Sequence, residues 1–424
     1  MNSKILALTF TMTFSLLNCF SQDTAVKRRL ANQFVRNYNT DQADSLYTLF
    51  SEEVKKSVQR PNVPAIISQL KGQLGKLVNT EFFKSDKGIT TYIGVFEKSG
   101  PVLYLNFDGS DHLVGFFINA DQRQKTTLKE GEQEVNVKTA TSALKGTLSV
   151  PSTSDKMPVL LLIAGSGPTD RNGNSALING KPDYFLKISD ELRSKNIAVL
   201  RYDKRGIGQS TNSKTEAEST FDDMVADAAA IIRFLKSDVR FSKIIVGGHS
   251  EGSLIGILAS QQENVDGFIS LAGVGVPADV AMKLQFKEAL SPNDYRMALS
   301  VLDTIKAGLP LQQTLKTGFE GLFRPSVQPY LRSWMKHDPR AEISKLKVPV
   351  LIVQGTNDIQ VSIDDAKQLG KAQPKAKLVT IDGMSHILKE APSDRQLNAA
   401  TYSNNDLGLH PKIISTLTSF IQSI

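Results

Sequence analysis

Apolar residues first recur along the chain at helical spacing: Val26, Leu30, Phe34 and Tyr38, then Leu46, Leu49 and Phe50, then a second stretch from Val63 to Leu77. That period predicts helices. Three runs follow in which β-branched and aromatic residues crowd between Gly and Asp turn residues, namely Thr90 to Phe96, Val102 to Phe107 and Leu113 to Ile118. These predict strands. Helices followed by strands make a small α+β unit over residues 22–120.

Residues 121–132 are polar and read as a linker, and beyond them the period changes. Strands are predicted at 133–137 and 144–150, followed by strands and helices in alternation. The order is strand Val159 to Ile163, helix Tyr184 to Ser194, strand Ala198 to Tyr202, helix Phe221 to Leu235, strand Ile244 to Val246, a helix after Ser250 and strand Gly267 to Leu271. In the helix from Phe221, the residues Phe221, Met224, Val225, Ala228, Ile232 and Leu235 share one face. Such alternation predicts an α/β domain over 133–424, with a mostly parallel sheet and crossover helices. From about Pro277 to Leu346 a helical, Lys- and Gln-containing segment interrupts it, after which strands Val348 to Val353 and Lys377 to Ile381 and a closing helix through Ile413, Leu417 and Phe420 resume. An insertion at that place lies at the carboxyl edge of a parallel sheet, where such folds bind ligands, so 277–346 reads as a helical cap.

The run Gly248-His249-Ser250-Glu251-Gly252 sits directly after an apolar strand and directly before a helix. A serine on so sharp a turn is projected from the top of the sheet, and side chains two residues to either side would collide with strand or helix. Ser250 is therefore the candidate nucleophile. The following helix dipole and the backbone amide of Glu251 are aimed at a developing oxyanion.

A serine hydroxyl is a weak nucleophile at neutral pH and needs a base held by an acid. Of the five histidines, His249 lies inside the turn and points away from the serine, His112 reads as a surface residue of the first unit, His337 falls in the cap and His410 opens the last helix. His386 remains, in the loop after the last strand. Asp358 ends the strand-and-turn run Val350 to Asp358 at the same edge and is the candidate acid; Asp364, Asp365 and Asp382 are the alternatives, the first two as capping or lining residues of the next helix. A second oxyanion donor must come from the loop Ile163 to Asn174, and its glycines make the Ser166 amide the candidate. The segment Arg201 to Ser210 reads as a brace for these loops. This chemistry calls for no cofactor and no metal.

Composition and the N-terminal residues add further points. The chain of 424 residues has room for more than one domain, and its formal charge of +7 is scattered without interleaved aromatics, which argues against nucleic acid as a partner. Lys4 and the apolar stretch Ile5 to Phe20 have the form of a signal peptide over residues 1–21, cleaved after Ser21. Export to the periplasm or the medium follows, with no membrane span after cleavage. The imperfect lipoprotein box ending at Cys19 leaves a lipid anchor open, and because Cys19 is the only cysteine, the mature chain can form no internal disulfide.

The order Ser250, Asp358, His386 and the motifs around them resemble the α/β-hydrolase superfamily over residues 133–424. The run Gly165-Ser166-Gly167-Pro168-Thr169-Asp170-Arg171-Asn172-Gly173-Asn174, taken with Gly248-His249-Ser250-Glu251-Gly252, is similar to bacterial carboxylesterases of the serine aminopeptidase-like branch. The resemblance implies a serine hydrolase acting mainly on short acyl esters of small molecules. One departure is Ala164, which stands where many members carry histidine. The first unit resembles, in pattern, the nuclear-transport-factor-like domains found ahead of some exported hydrolases. Peptidase or thioesterase action on the same triad, and a silent ligand-binding homologue, are the competing readings. Gly273-Val274-Gly275-Val276-Pro277-Ala278 also matches a dinucleotide fingerprint, although no acidic residue stands ready to hold the ribose.

Overall fold

The computed structural model describes residues 25–98, 101–119, 121–123, 127–153, 155–175, 180–309, 311 and 322–424. The stretch 1–21, expected from its sequence to be a signal peptide, lies with Cys19 outside the described residues. The chain forms two compact units, Met1–Arg123 and Gln124–Ile424. Among the described residues, no helix is long and apolar enough to cross a membrane.

In the first unit a helix over residues 25–39 and the helices Ala43–Tyr47, Glu52–Ser57 and Val63–Leu74 precede the strands β1 (Leu77–Asp86), β2 (Ile89–Phe96), β3 (Val102–Phe107) and β4 (Leu113–Asn119). The strands form one antiparallel sheet in chain order. Phe34, Tyr38, Phe50, Leu105 and Phe107 fill the space between helices and sheet.

One expectation fails here. The helix predicted to reach Leu77 ends at Leu74, because Gly75 has φ of +81° and turns the chain into β1. This strand leaves almost every residue after Leu77 exposed or half-buried, so it carries no apolar pattern to read. Its hairpin to β2 is made by Lys87 and Gly88, both at positive φ, as a two-residue turn between twisted strands requires.

The second unit contains β5 (Glu132–Lys138), β6 (Ala143–Ser149), β7 (Met157–Ile163), β8 (Ala198–Tyr202), β9 (Phe241–His249), β10 (Gly267–Leu271), β11 (Val350–Gly355) and β12 (Lys377–Ile381). They form one eight-stranded sheet in the order β12-β11-β10-β9-β7-β8-β6-β5. The pairings from β8 to β12 are parallel, and β5 and β6 add antiparallel strands at one edge. Strand β7 shows why two helical layers are needed: Val159, Leu161 and Ile163 enter one core while Leu160 and Leu162 enter the other. The first core is closed by the helices Phe221–Lys236, Glu251–Gln262 and Ile363–Ala372, and the second by Tyr184–Arg193 and Pro411–Gln422.

Between β10 and β11 lie the helices Ala278–Ala289, Pro292–Ala307, Gln328–Trp334 and Pro339–Ile343. The first three share a small apolar core of their own, including Met282, Phe286, Leu302 and Leu331, whereas Ile343 and Leu346 pack into the main core. The segment is joined to the sheet domain by Trp334, whose ring stacks on Phe221, and by Ser333, whose Oγ accepts the Phe221 amide.

The helix Phe221–Lys236 is also tied to the loop after β8. Arg205 donates through Nε and Nη2 to the two carboxylate oxygens of Asp227, each at 2.7 Å, with both side chains buried. Removing one partner of such a pair strands the other charge without solvent. Asp227→Ala should therefore lower the urea midpoint of this unit by the equivalent of about 3–5 kcal/mol; an unchanged midpoint would refute the assignment.

Candidate active site

Strands β7 and β9 are neighbours, with Ile163 opposite Gly248. Their loops therefore emerge side by side at the point where the chain order of the sheet reverses, which is where open α/β sheets place their sites. After β9 the chain turns so sharply that a Cβ on Gly248 would lie 2.1 Å from the Gly252 carbonyl oxygen. A Cβ on Gly252 would lie 2.4 Å from the Ile163 carbonyl oxygen. Ser250 occupies the strained corner itself, at φ 55° and ψ −121°, and the helix Glu251–Gln262 starts immediately after it. The amide of Glu251 is one of the first helical N–H groups, which have no acceptor within the helix.

The loops after β11 and β12 bring the other two candidates together. His386 Nδ1 lies 2.8 Å from Asp358 Oδ2. A carboxylate only accepts, so Nδ1 carries the proton and Nε2 is left with a free lone pair. Asp358 is held in turn by the amides of Gln360 and Val361 at 2.8 and 2.9 Å and by Gln354 Nε2 at 3.0 Å. Burial alone would raise its pKa. The His386 charge and hydrogen bond, with these amides, outweigh burial and hold the carboxyl below its ordinary range.

The remaining candidates fall at the same edge. Gly165 abuts the turn, since a Cβ placed on it would lie 3.0 Å from Ser250 Cβ, and Ser166 follows it with its side chain exposed. Among the described residues, no hydrogen bond joins the Ser250 hydroxyl to His386. Such contacts often tighten only when substrate binds. Asp365 caps the helix Ile363–Ala372 and Asp382 accepts from Thr356, which accounts for those two carboxylates structurally. His112 is exposed, His337 pairs with Asp222 and His410 caps the last helix. The dinucleotide-like glycines are packing devices: a Cβ on Gly275 would lie 2.2 Å from the Asp365 carbonyl oxygen.

Two features escape sequence reasoning. The first is His249, whose buried ring lies 4.6 Å from the His386 ring, centroid to centroid. Its Nε2 is 2.8 Å from the His386 carbonyl oxygen, which can only accept, so Nε2 is protonated and fixes the backbone of the candidate base. Burial, followed by the His386 charge, pushes the His249 pKa down to about 3. The second is how the Arg201 to Ser210 run braces the loop after β7. Arg201 bonds Asn172, Asp203 accepts from the Arg171 amide and guanidinium at 2.8 and 2.6 Å, and Lys204 Nζ donates to the Gly165 carbonyl at 2.5 Å. The sequence signals a brace, but not which atoms it grips.

The strand order, the turn after β9 and the loops at the carboxyl edge define the α/β-hydrolase fold. The family described as serine aminopeptidase, S33, matches residues 182–319, a stretch that contains Ser250 but neither Asp358 nor His386. Esterase EstD of Thermotoga maritima is 23% identical over 384 residues, covering 84% of this chain and 86% of that protein. Among solved structures, Est1E from Butyrivibrio proteoclasticus with ferulic acid bound is similar at 17% identity, covering 68% of this chain and 96% of that one, with a TM-score of 0.44. The α/β hydrolase GrgF from Penicillium sp. sh18 is similar at 15% identity, 69% and 98% coverage and a TM-score of 0.46.

The depressed pKa of His249 has a measurable sign. The unfolded side chain titrates near 6.5 and the folded one near 3. Between these values the unfolded state binds more protons, so this contribution to stability is intact above pH 6.5 and is lost as pH falls toward 3. His249→Gln should remove up to about 1.4 kcal/mol per pH unit from the slope of stability in that window, read by urea unfolding at pH 7, 5.5 and 4.5. Equal slopes in the two proteins would contradict the buried neutral histidine.

Proposed function

We propose that this chain is a serine hydrolase that cleaves small carboxylic esters, with a short acyl group, through an acyl-enzyme on Ser250. The observation that carries the reading is one sheet edge holding a serine at φ 55° ahead of a helix and a His386–Asp358 pair at 2.8 Å. Similarity to Esterase EstD over most of both chains supports the ester bond as the target.

In this reading His386 Nε2 takes the proton from Ser250 as its oxygen attacks the ester carbonyl. Asp358, kept ionised by its amide and imidazole partners, stabilises the imidazolium that results. The amides of Ser166 and Glu251 receive the developing oxyanion. His386 then gives its proton to the departing alcohol, and water repeats the cycle from the other side to free the acid. The helices between β10 and β11 act as the cap that selects the acyl and alcohol groups, and the segment from Lys4 to Ser21 serves export.

The test is a panel of p-nitrophenyl esters from acetate to decanoate, aminoacyl anilides and acyl thioesters, run with wild type, Ser250→Ala and Asp358→Asn. Ester turnover should be fastest on the short chains. Ser250→Ala should abolish it, and Asp358→Asn should lower kcat on the order of 10³–10⁴-fold, because the imidazole then loses its tautomer and charge partner. Unchanged turnover in Ser250→Ala overturns the mechanism. Anilide or thioester preference replaces the substrate class, and no turnover of any substrate by wild type leaves the silent binding homologue.

A further inference from the structure

Lys204 is an expensive residue to place where it lies. Its side chain is 7% exposed, two residues beyond β8, and burial lowers its pKa from the usual lysine value, with Glu251 opposing that shift. A buried ammonium survives only if its surroundings repay the lost hydration. Its partners are specific. Nζ donates to the Gly165 carbonyl at 2.5 Å and stands 3.9 Å from Glu251 Oε2, an oxygen that receives no hydrogen bond. The other carboxylate oxygen, Oε1, accepts from the Tyr330 hydroxyl at 2.7 Å.

Both partners bear on the same place. The Gly165 carbonyl and the Ser166 N–H belong to one planar peptide unit and point in opposite directions across it. A donor that fixes the carbonyl end therefore fixes the direction of the N–H end, and a cationic donor also polarises the unit so that the N–H donates more strongly. Glu251, which neutralises the ammonium, is the residue whose own amide starts the helix after Ser250.

We propose that Lys204 is a positioning residue of the oxyanion site, gripping the Gly165–Ser166 peptide by its carbonyl so that the Ser166 amide is aimed at the oxyanion formed beside Ser250. The proposal rests on Ser250 being the nucleophile. Lys204 touches no reacting atom; it acts through the peptide, and Glu251 and Tyr330 hold its charge in place.

The experiment compares wild type with Lys204→Met, Lys204→Gln, Lys204→Arg and Ser250→Ala, on p-nitrophenyl butyrate and with phenylboronic acid, which forms a tetrahedral adduct on an activated serine. The neutral variants should lose kcat on the order of 10²–10³-fold, the range for losing one oxyanion donor, with KM within about threefold of wild type. Boronate affinity should fall with kcat. Lys204→Arg, which keeps a cationic donor, should recover at least about tenfold of the loss, as a lysine that merely fills space would not require. A folded neutral variant with wild-type kcat, or one whose KM alone changes, overturns the proposal. Failure of both neutral variants to fold also overturns it, in favour of a structural role. Activity surviving in Ser250→Ala removes the nucleophile instead, whereas an inactive Ser250→Ala beside a fully active Lys204→Met removes only Lys204.

Discussion

The contact on which the second unit depends is the near-touching of two backbones, the turn after β9 and the end of β7. With no side chain at Gly248 or Gly252, the helix Glu251–Gln262 can start directly after Ser250 and against the end of β7. Because Ile163 pairs with Gly248, the loop after β7 is delivered to the same spot. A slip of one residue in that register would turn Leu160 and Leu162 toward the wrong core, so the packing of both helical layers guards the geometry of the loops.

What the sequence made legible follows from this locality. The turn around Ser250 is a property of five successive residues between a strand and a helix, and it could be read directly. Asp358 and His386 were reachable by strand order and elimination, since each lies in the loop after a strand of one parallel edge, and the structure brings these two within a hydrogen bond of each other. Strand β1 was not legible, because an edge strand with exposed residues on both faces has no period for a reader to find. The grip of Lys204 on Gly165 was hidden for the opposite reason. The two are 39 positions apart, and nothing in a lysine two residues after a strand says that its head will be buried against a carbonyl.

Three buried ion pairs stand where the loops after β7, β8 and β9 meet. Arg171 with Asp203, Arg205 with Asp227 and Lys204 with Glu251 all sit in or beside the loops after β7, β8 and β9. Well-packed apolar side chains could serve stability as well as a buried ion pair does, and often better. An apolar contact, however, leaves a loop free to slide, whereas a bidentate guanidinium or an ammonium on one carbonyl accepts a single arrangement. A further buried pair, Arg201 with Glu132, joins strands β8 and β5, but at the carboxyl edge the three pairs favour fixed direction over added stability.

The helices between β10 and β11 meet this edge at a point that joins two demands. Trp334 and Ser333 anchor them to the helix Phe221–Lys236, and Tyr330, one turn earlier, reaches the Glu251 carboxylate. The Glu251 pKa is raised by burial, with Lys204 and Tyr330 opposing the shift, so its charge depends on both neighbours staying in place. Movement of Tyr330 would withdraw one hydrogen bond from a carboxylate whose other oxygen has none. The segment that would select substrate in the proposed enzyme is thereby coupled to the residue that follows the nucleophile. A substrate that repositions Tyr330 would alter the electrostatics of the turn without touching it.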